Sequence, residues 1–161
     1  LPWLIVGLVG AMLATAAMAA FEATLQAQVA VAFFIPGLVY LADAIGTQSE
    51  TIAVRGLSLT RGGITHLLAG ELRTGMLIGA TLGLVSYLPI LLAFGNPRLA
   101  AAVSSAIFFA GSVACAIGLL FPWLLARFRY DPAYGSGPVA TVIQDILSLL
   151  IYFAVLRAFG I

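Results

Sequence analysis

Lysine is absent from this 161-residue sequence, histidine and cysteine occur once each, and charged residues make up only 8% of the chain against 63% hydrophobic. A soluble domain is about a quarter charged and about half apolar, so a chain this poor in charge must present most of its surface to something other than water. The seven basic residues are all arginines, nearly cancelled by six acids to a net charge of +1. That balance offers no basic field, which excludes a nucleic-acid partner. The lone Cys115 has no second cysteine to pair with and sits in an apolar run, where it reads as a small packing residue and not as a reactive thiol.

What the chain has instead is apolar length. No charge occurs from Leu1 to Phe21, Ala23 to Ala42, Thr74 to Pro97 or Leu99 to Ala126, and Asp145 alone interrupts the stretch between Pro132 and Leu156. A bilayer-spanning helix needs roughly 20 mostly apolar residues at 1.5 Å rise. The sequence therefore predicts an all-α membrane protein of five transmembrane helices, at about 3–21, 28–53, 74–94, 99–125 and 138–158. The first lacks a basic leader and is followed by further spans, so it reads as a permanent helix and not a cleaved signal. Because the chain starts at Leu1 and not at a methionine, residues upstream are expected. No domain boundary, low-complexity tract or convincing repeat divides residues 1–161, and the half-polar segment from Gly56 to Gly70, with Arg61, Gly62, Gly63 and His66, reads as a connector along the membrane interface.

Orientation follows from the arginines. Arg55, Arg61 and Arg73 fall between the second and third spans and Arg127 and Arg129 between the fourth and fifth, whereas Arg98 and Arg157 fall on the opposite side. This asymmetry places the N-terminus in the cytoplasm and Ile161 outside, in a multi-pass protein of the cell (inner) membrane.

Small residues mark packing seams. Gly75, Gly79 and Gly83 recur at every fourth position of the third span, a pattern that lets a second backbone approach closely. Weaker versions are Gly7, Gly10, Ala14 and Ala17 in the first span and Ser104, Gly111, Cys115 and Gly118 in the fourth.

Polar residues mark function. Thr141, Asp145, Ser148 and Tyr152 follow at steps of four, three and four, forming one stripe down an otherwise apolar helix. A carboxylate inside a span costs at least ~2.5 kcal/mol on insertion scales and is tolerated where it has a task. The second span carries Asp43, Thr47 and Glu50 at steps of four and three, ending near Arg55, with which Glu50 alternatively pairs. Pro36 lies two turns before this stripe and is expected to free a carbonyl near Ala32 for water or an ion. Two acidic stripes in one bundle point to a cation path. A hydrolase reading fails for want of a base, because Ser104, Ser112 and Ser148 have no suitably placed partner and His66 lies in the connector, so the chain is not read as an enzyme. A structural assembly subunit needs no acidic stripe. The alternative kept open is a proton-coupled small-molecule transporter using a buried carboxylate.

Phe34-Ile35-Pro36, Gly46-Thr47-Gln48-Ser49, Arg55-Gly56-Leu57, Tyr130-Asp131-Pro132-Ala133 and Ser136-Gly137-Pro138, leading to Asp145 and Leu150-Ile151-Tyr152-Phe153, resemble the transmembrane domain of the MgtE magnesium channels. The resemblance covers essentially the whole chain and implies a homodimer with a pore on the two-fold axis, lined by the second and fifth helices. It places the family's ion-binding aspartate on Asp145, with Thr141 and Asp43 as further metal-site candidates. Pro36, Thr47, Gln48, Ser49, Glu50, Gly137 and Ser148 become pore or motif positions. Where the family has Gly-Gly-Asn before its Gly-Thr-Gln-Ser motif, this chain has Ala42-Asp43-Ala44-Ile45, so the asparagine falls on Ala44 and Asp43 is expected to compensate. The implied cargo is Mg²⁺, without an organic cofactor. The implied partners are a second copy, membrane lipid, and a cytoplasmic regulatory domain or subunit outside these residues. The chemistry agrees: Mg²⁺ retains several waters and is held by one or two carboxylates, with the carbonyls near Thr141 and Gly137 able to bind those waters. Softer metals are disfavoured, since His66 and Cys115 form no ligand cluster with Asp145.

Overall fold

A computed structural model describes residues 2–59, 65–132 and 136–161, and these are helical almost throughout. The helices are α1 (Pro2–Ala19), α2 (Glu22–Ala27), α3 (Ile35–Leu59), α4 (Thr65–Phe94), α5 (Pro97–Arg127) and α6 (Ser136–Ala158), with a 3₁₀ segment at Val29–Phe34 leading into α3. Four stretches are long and apolar enough to cross a membrane: Val29–Leu57, Ala69–Phe94, Pro97–Arg127 and Gly137–Ala158. Where the first span was expected the chain forms α1, whose apolar part, Leu4–Ala19, is a shorter apolar helix and is not among these four.

The chain runs up and down through this bundle, as the contacting residues show. Gly10 on α1 meets Val142 on α6, and Phe21 stacks on Phe153 at a centroid distance of 4.1 Å, so α1 and α6 run parallel. Gly46 on α3 meets Gln144 on α6, and Glu50 lies against Gly137, so these two helices run antiparallel. The α4–α5 pair is antiparallel and joined by a tight turn. Gly95 adopts φ 62° there, and the Asn96 carboxamide oxygen accepts from the backbone N–H groups of Arg98 at 3.0 Å and Leu99 at 3.1 Å. Pro97 then opens α5 where its missing N–H costs nothing.

α5 is the central helix. α3, α4 and α6 all pack on it, and half of its span is buried, whereas only 17% of the α4 span is. Its interior face of Ala100, Val103, Ala106, Ile107, Ala110 and Ala114 meets Leu38 and Ala42 of α3 and Leu149, Tyr152 and Phe153 of α6 in one core. The glycine seam of the third span packs as its spacing requires. A methyl group on Gly79 or Gly83 would sit 2.8 Å from the Phe108 carbonyl oxygen or 2.7 Å from that of Ser104, so only hydrogen fits there.

Two expectations are corrected. The segment from Gly56 to Gly70 is mostly helix, because α3 continues to Leu59 and α4 begins at Thr65. Arg55 and Arg73 thus sit on exposed helical turns that extend beyond the apolar runs, as helices of 25 and 30 residues exceed bilayer thickness. Arg61, Gly62, Gly63 and Ala133, and the side chain of His66, lie outside the described residues. The second correction concerns Pro36. The chain ahead of it tightens into the 3₁₀ segment, and the Ile35 N–H donates to the Ala32 carbonyl, so that oxygen is not left without a donor by the proline.

Candidate cation site

The two acidic stripes converge because α3 and α6 pack antiparallel against a common neighbour. Close approach is possible at Gly46, where the absence of a side chain leaves room for the Gln144 carboxamide, and at Gly118 of α5, which abuts the Gly46 carbonyl. With that register set, Asp43 on α3 comes near enough to Asp145 on α6 for its charge to act on it. Both residues are half-buried. Asp43 Oδ1 is shielded from solvent and has no hydrogen-bond partner. A shielded, unpartnered carboxylate oxygen within electrostatic range of a second carboxylate favours a cation or a proton nearby.

The remaining expected positions divide among three environments. Thr141, half-buried, lies one turn before Asp145 on α6. Glu50, 9% exposed, lies two turns beyond Asp43 on α3, against Gly137 near the start of α6. Thr47 and the Pro36 ring are exposed on the free face of α3.

Gln48 and Ser49 turn away from α6. They line a largely apolar cleft of about 260 Å³ with Glu71, Thr74 and Cys115. The Ser49 hydroxyl and the Cys115 thiol are 3.0 Å apart, and Cys115 Sγ donates to the Glu71 carbonyl at 3.0 Å, so this part of the motif joins α3, α4 and α5. Ser148 is 2% exposed and its hydroxyl donates to the Asp145 backbone carbonyl at 3.0 Å, inside its own helix. Tyr152 is fully buried, and its phenol donates to the Val31 carbonyl at 2.7 Å. The last member of the α6 stripe is thus a pin that holds the 3₁₀ segment, not part of a water-facing surface.

One residue escaped the sequence reading. Gln144 is 3% exposed, wedged between Gly46 of α3 and α5, where its amide donates to the Ala114 carbonyl at 3.5 Å. A carboxamide in mid-span beside Asp145 was the available signal; it lies off the polar stripe by one residue, about 100° around the helix.

Among the described residues no three His, Cys, Asp or Glu side chains come together as a metal cage. Two carboxylates without a cage of such side chains suit an ion that keeps its waters.

A bundle of apolar helices that holds two half-buried acids within electrostatic range of each other on adjacent spans defines a multi-pass membrane protein with ionisable groups among its helices. The chain belongs to the MgtE family: residues 35–155 match the family described as a divalent cation transporter. It is 36% identical over 162 residues to the magnesium transporter MgtE of Bacillus subtilis (strain 168), covering 99% of this chain and 36% of that protein. The MgtE proteins of Thermus thermophilus and Enterococcus faecalis are 31% and 32% identical, with 96% and 99% of this chain covered. The chain spans 35–36% of the length of these curated relatives. All three are named as transporters and none as an enzyme.

Proposed function

We propose that this chain conducts Mg²⁺ as a largely hydrated divalent cation, through a path between two copies lined by α3 and α6. The observation that carries this reading is the solvent-shielded, unpartnered Asp43 Oδ1 on a side chain within electrostatic range of Asp145. Family membership supports the cargo, as the relatives are named magnesium transporters. Asp145 and Asp43 bind the ion's waters electrostatically, and Thr141 adds a hydroxyl one turn away. Asp43 replaces with charge what Ala44 lacks in hydrogen-bonding capacity.

A second copy is needed because polar groups at membrane depth must not meet lipid. Thr47 and Gln48 are exposed on the single chain and Asp145 is only half covered. A two-fold partner is the commonest closed solution, and it doubles the carboxylates around one axis. In this arrangement the N-terminus is cytoplasmic and Ile161 external, and regulation resides in a cytoplasmic domain or subunit beyond these residues.

Liposome flux tests the proposal. Purified protein is reconstituted and uptake of Mg²⁺, Ca²⁺, Mn²⁺ and Na⁺ is followed with and without an applied potential. Saturable Mg²⁺ uptake that Asp145→Asn abolishes, with folding and association intact, is the expected result. Wild-type Mg²⁺ rates in the Asn variant would place the ion's site elsewhere.

A further inference from the structure

Gln144 is a costly residue to keep where it stands. It is 3% exposed in mid-span, and its hydrogen bond to the Ala114 carbonyl is 3.5 Å long. A leucine would satisfy a helix interface at that depth without burying an amide. What the amide side chain provides is shape at one place: it lies flat against Gly46, so closely that a β-carbon on that residue would overlap its terminal atoms. Gly46 is held from the other side too, because Gly118 of α5 abuts its carbonyl. The α3 backbone is therefore gripped at one residue between Gln144 of α6 and Gly118 of α5.

That residue lies one turn from Asp43, and Gln144 is the immediate neighbour of Asp145. Any change in the thickness of the Gln144–Gly46 contact moves the two carboxylates relative to each other. We propose that Gln144, seated on Gly46, is a positioning residue that sets the separation of Asp43 and Asp145 and so the affinity and size preference of the cation site. The proposal rests on the transport reading for its ion, but not for its geometry, which can be measured separately. Outer groups that orient metal-binding carboxylates typically change metal affinity by roughly 10–100-fold when removed.

The test is a small-for-large exchange at the contact, with Leu84→Ala on the open face of α4 as a control, Leu84 being 78% exposed. Gly46→Ala wedges α3 from α6, and Gln144→Ala lets them collapse. Each is expected to raise the half-saturating Mg²⁺ concentration for liposome uptake by roughly tenfold and to shift the Mg²⁺-to-Ca²⁺ preference, with unchanged elution in detergent. The double variant Gly46→Ala/Gln144→Ala restores the contact thickness and should recover most of the loss, a rescue that a merely destabilised protein does not give. If either single variant does not fold, the double variant alone decides: folded with near wild-type half-saturation supports the proposal, folded with the tenfold loss overturns it. Single variants that fold and keep wild-type half-saturation and preference also overturn it.

A readout without ions separates this outcome from failure of the transport reading. In a Cys115→Ser background, Asp43→Cys and Asp145→Cys are cross-linked by a short bis-methanethiosulfonate, each cysteine thiolate displacing one sulfinate. The yield should change when Gln144→Ala is added and return to its starting value with Gly46→Ala; constant yield overturns the positioning role even if no Mg²⁺ flux is seen in the wild type.

Discussion

Replacing Asp43 with asparagine should make this protein more stable in the absence of divalent ions and less stable in their presence. The substitution keeps the size of the side chain and removes its charge. In the folded chain Asp43 Oδ1 is shielded from solvent, accepts no hydrogen bond and shares its surroundings with Asp145. An unsatisfied buried polar group costs ~1–3 kcal/mol, and more when charged. The asparagine amide is still imperfectly paired, so only the charge-related part is recovered, about 1 kcal/mol. For a chain of this size that corresponds to a rise of about 2–4 °C in the unfolding midpoint. Mg²⁺ reverses the order, because an ion that binds only the folded state stabilises it by ~2.7 kcal/mol at a concentration of about a hundred times its dissociation constant. The wild type gains that amount and the variant, with one carboxylate fewer per chain, gains less. Thermal unfolding in detergent, followed by tryptophan fluorescence over a Mg²⁺ series with K⁺ held at matching ionic strength, reads both effects. A wild type that is the more stable protein without divalent ions, or equal stabilisation of both by Mg²⁺, would refute the reasoning.

Tyr152→Phe removes the phenol that satisfies the buried Val31 carbonyl. Hydrogen bonds inside membrane proteins average ~0.6 kcal/mol and reach ~1.7 kcal/mol, so a loss of about 1 kcal/mol is expected in the same unfolding assay, with the Phe153 stacking on Phe21 unaffected. Gly83→Val forces side-chain atoms onto the Ser104 carbonyl and should destabilise by ~1–3 kcal/mol. Gly7→Ala, in open space, should be silent in that comparison. A tag after Ile161 should be reached by an impermeant reagent from outside only, and labelling solely from the cytoplasmic side would invert the topology. The detergent-corrected mass should equal two chains, and one chain would count against the shared path.

Most of the bundle was legible in the sequence because the signals are local. Charge-free runs of membrane length have few alternatives in a chain with six acids and seven arginines, and lipid forces each run to satisfy its own backbone as helix. The Gly75, Gly79 and Gly83 seam was equally readable, since hydrogen on every fourth residue has value only where another backbone approaches, and the carbonyls of Phe108 and Ser104 do approach it. Family membership was readable for the same reason: its motifs are short strings. Helix ends were not, because α3 and α4 extend past the apolar runs through residues whose polarity fits equally well an interfacial loop or a solvated helical turn.

What a polar side chain inside a span does depends on what stands opposite, and only the tertiary structure decided that. Asp43, Ser49 and Tyr152 look alike from their own helices, as polar residues in apolar surroundings. Packing brings Asp43 within electrostatic range of Asp145, Ser49 to the Cys115 thiol and Tyr152 to the buried Val31 carbonyl of the 3₁₀ segment before Pro36. Periodicity identifies a face but not its neighbour. Gln144, one residue off the stripe, meets the backbone of α3 only because α3, α5 and α6 close around Gly46, and that closure is a property of three helices together.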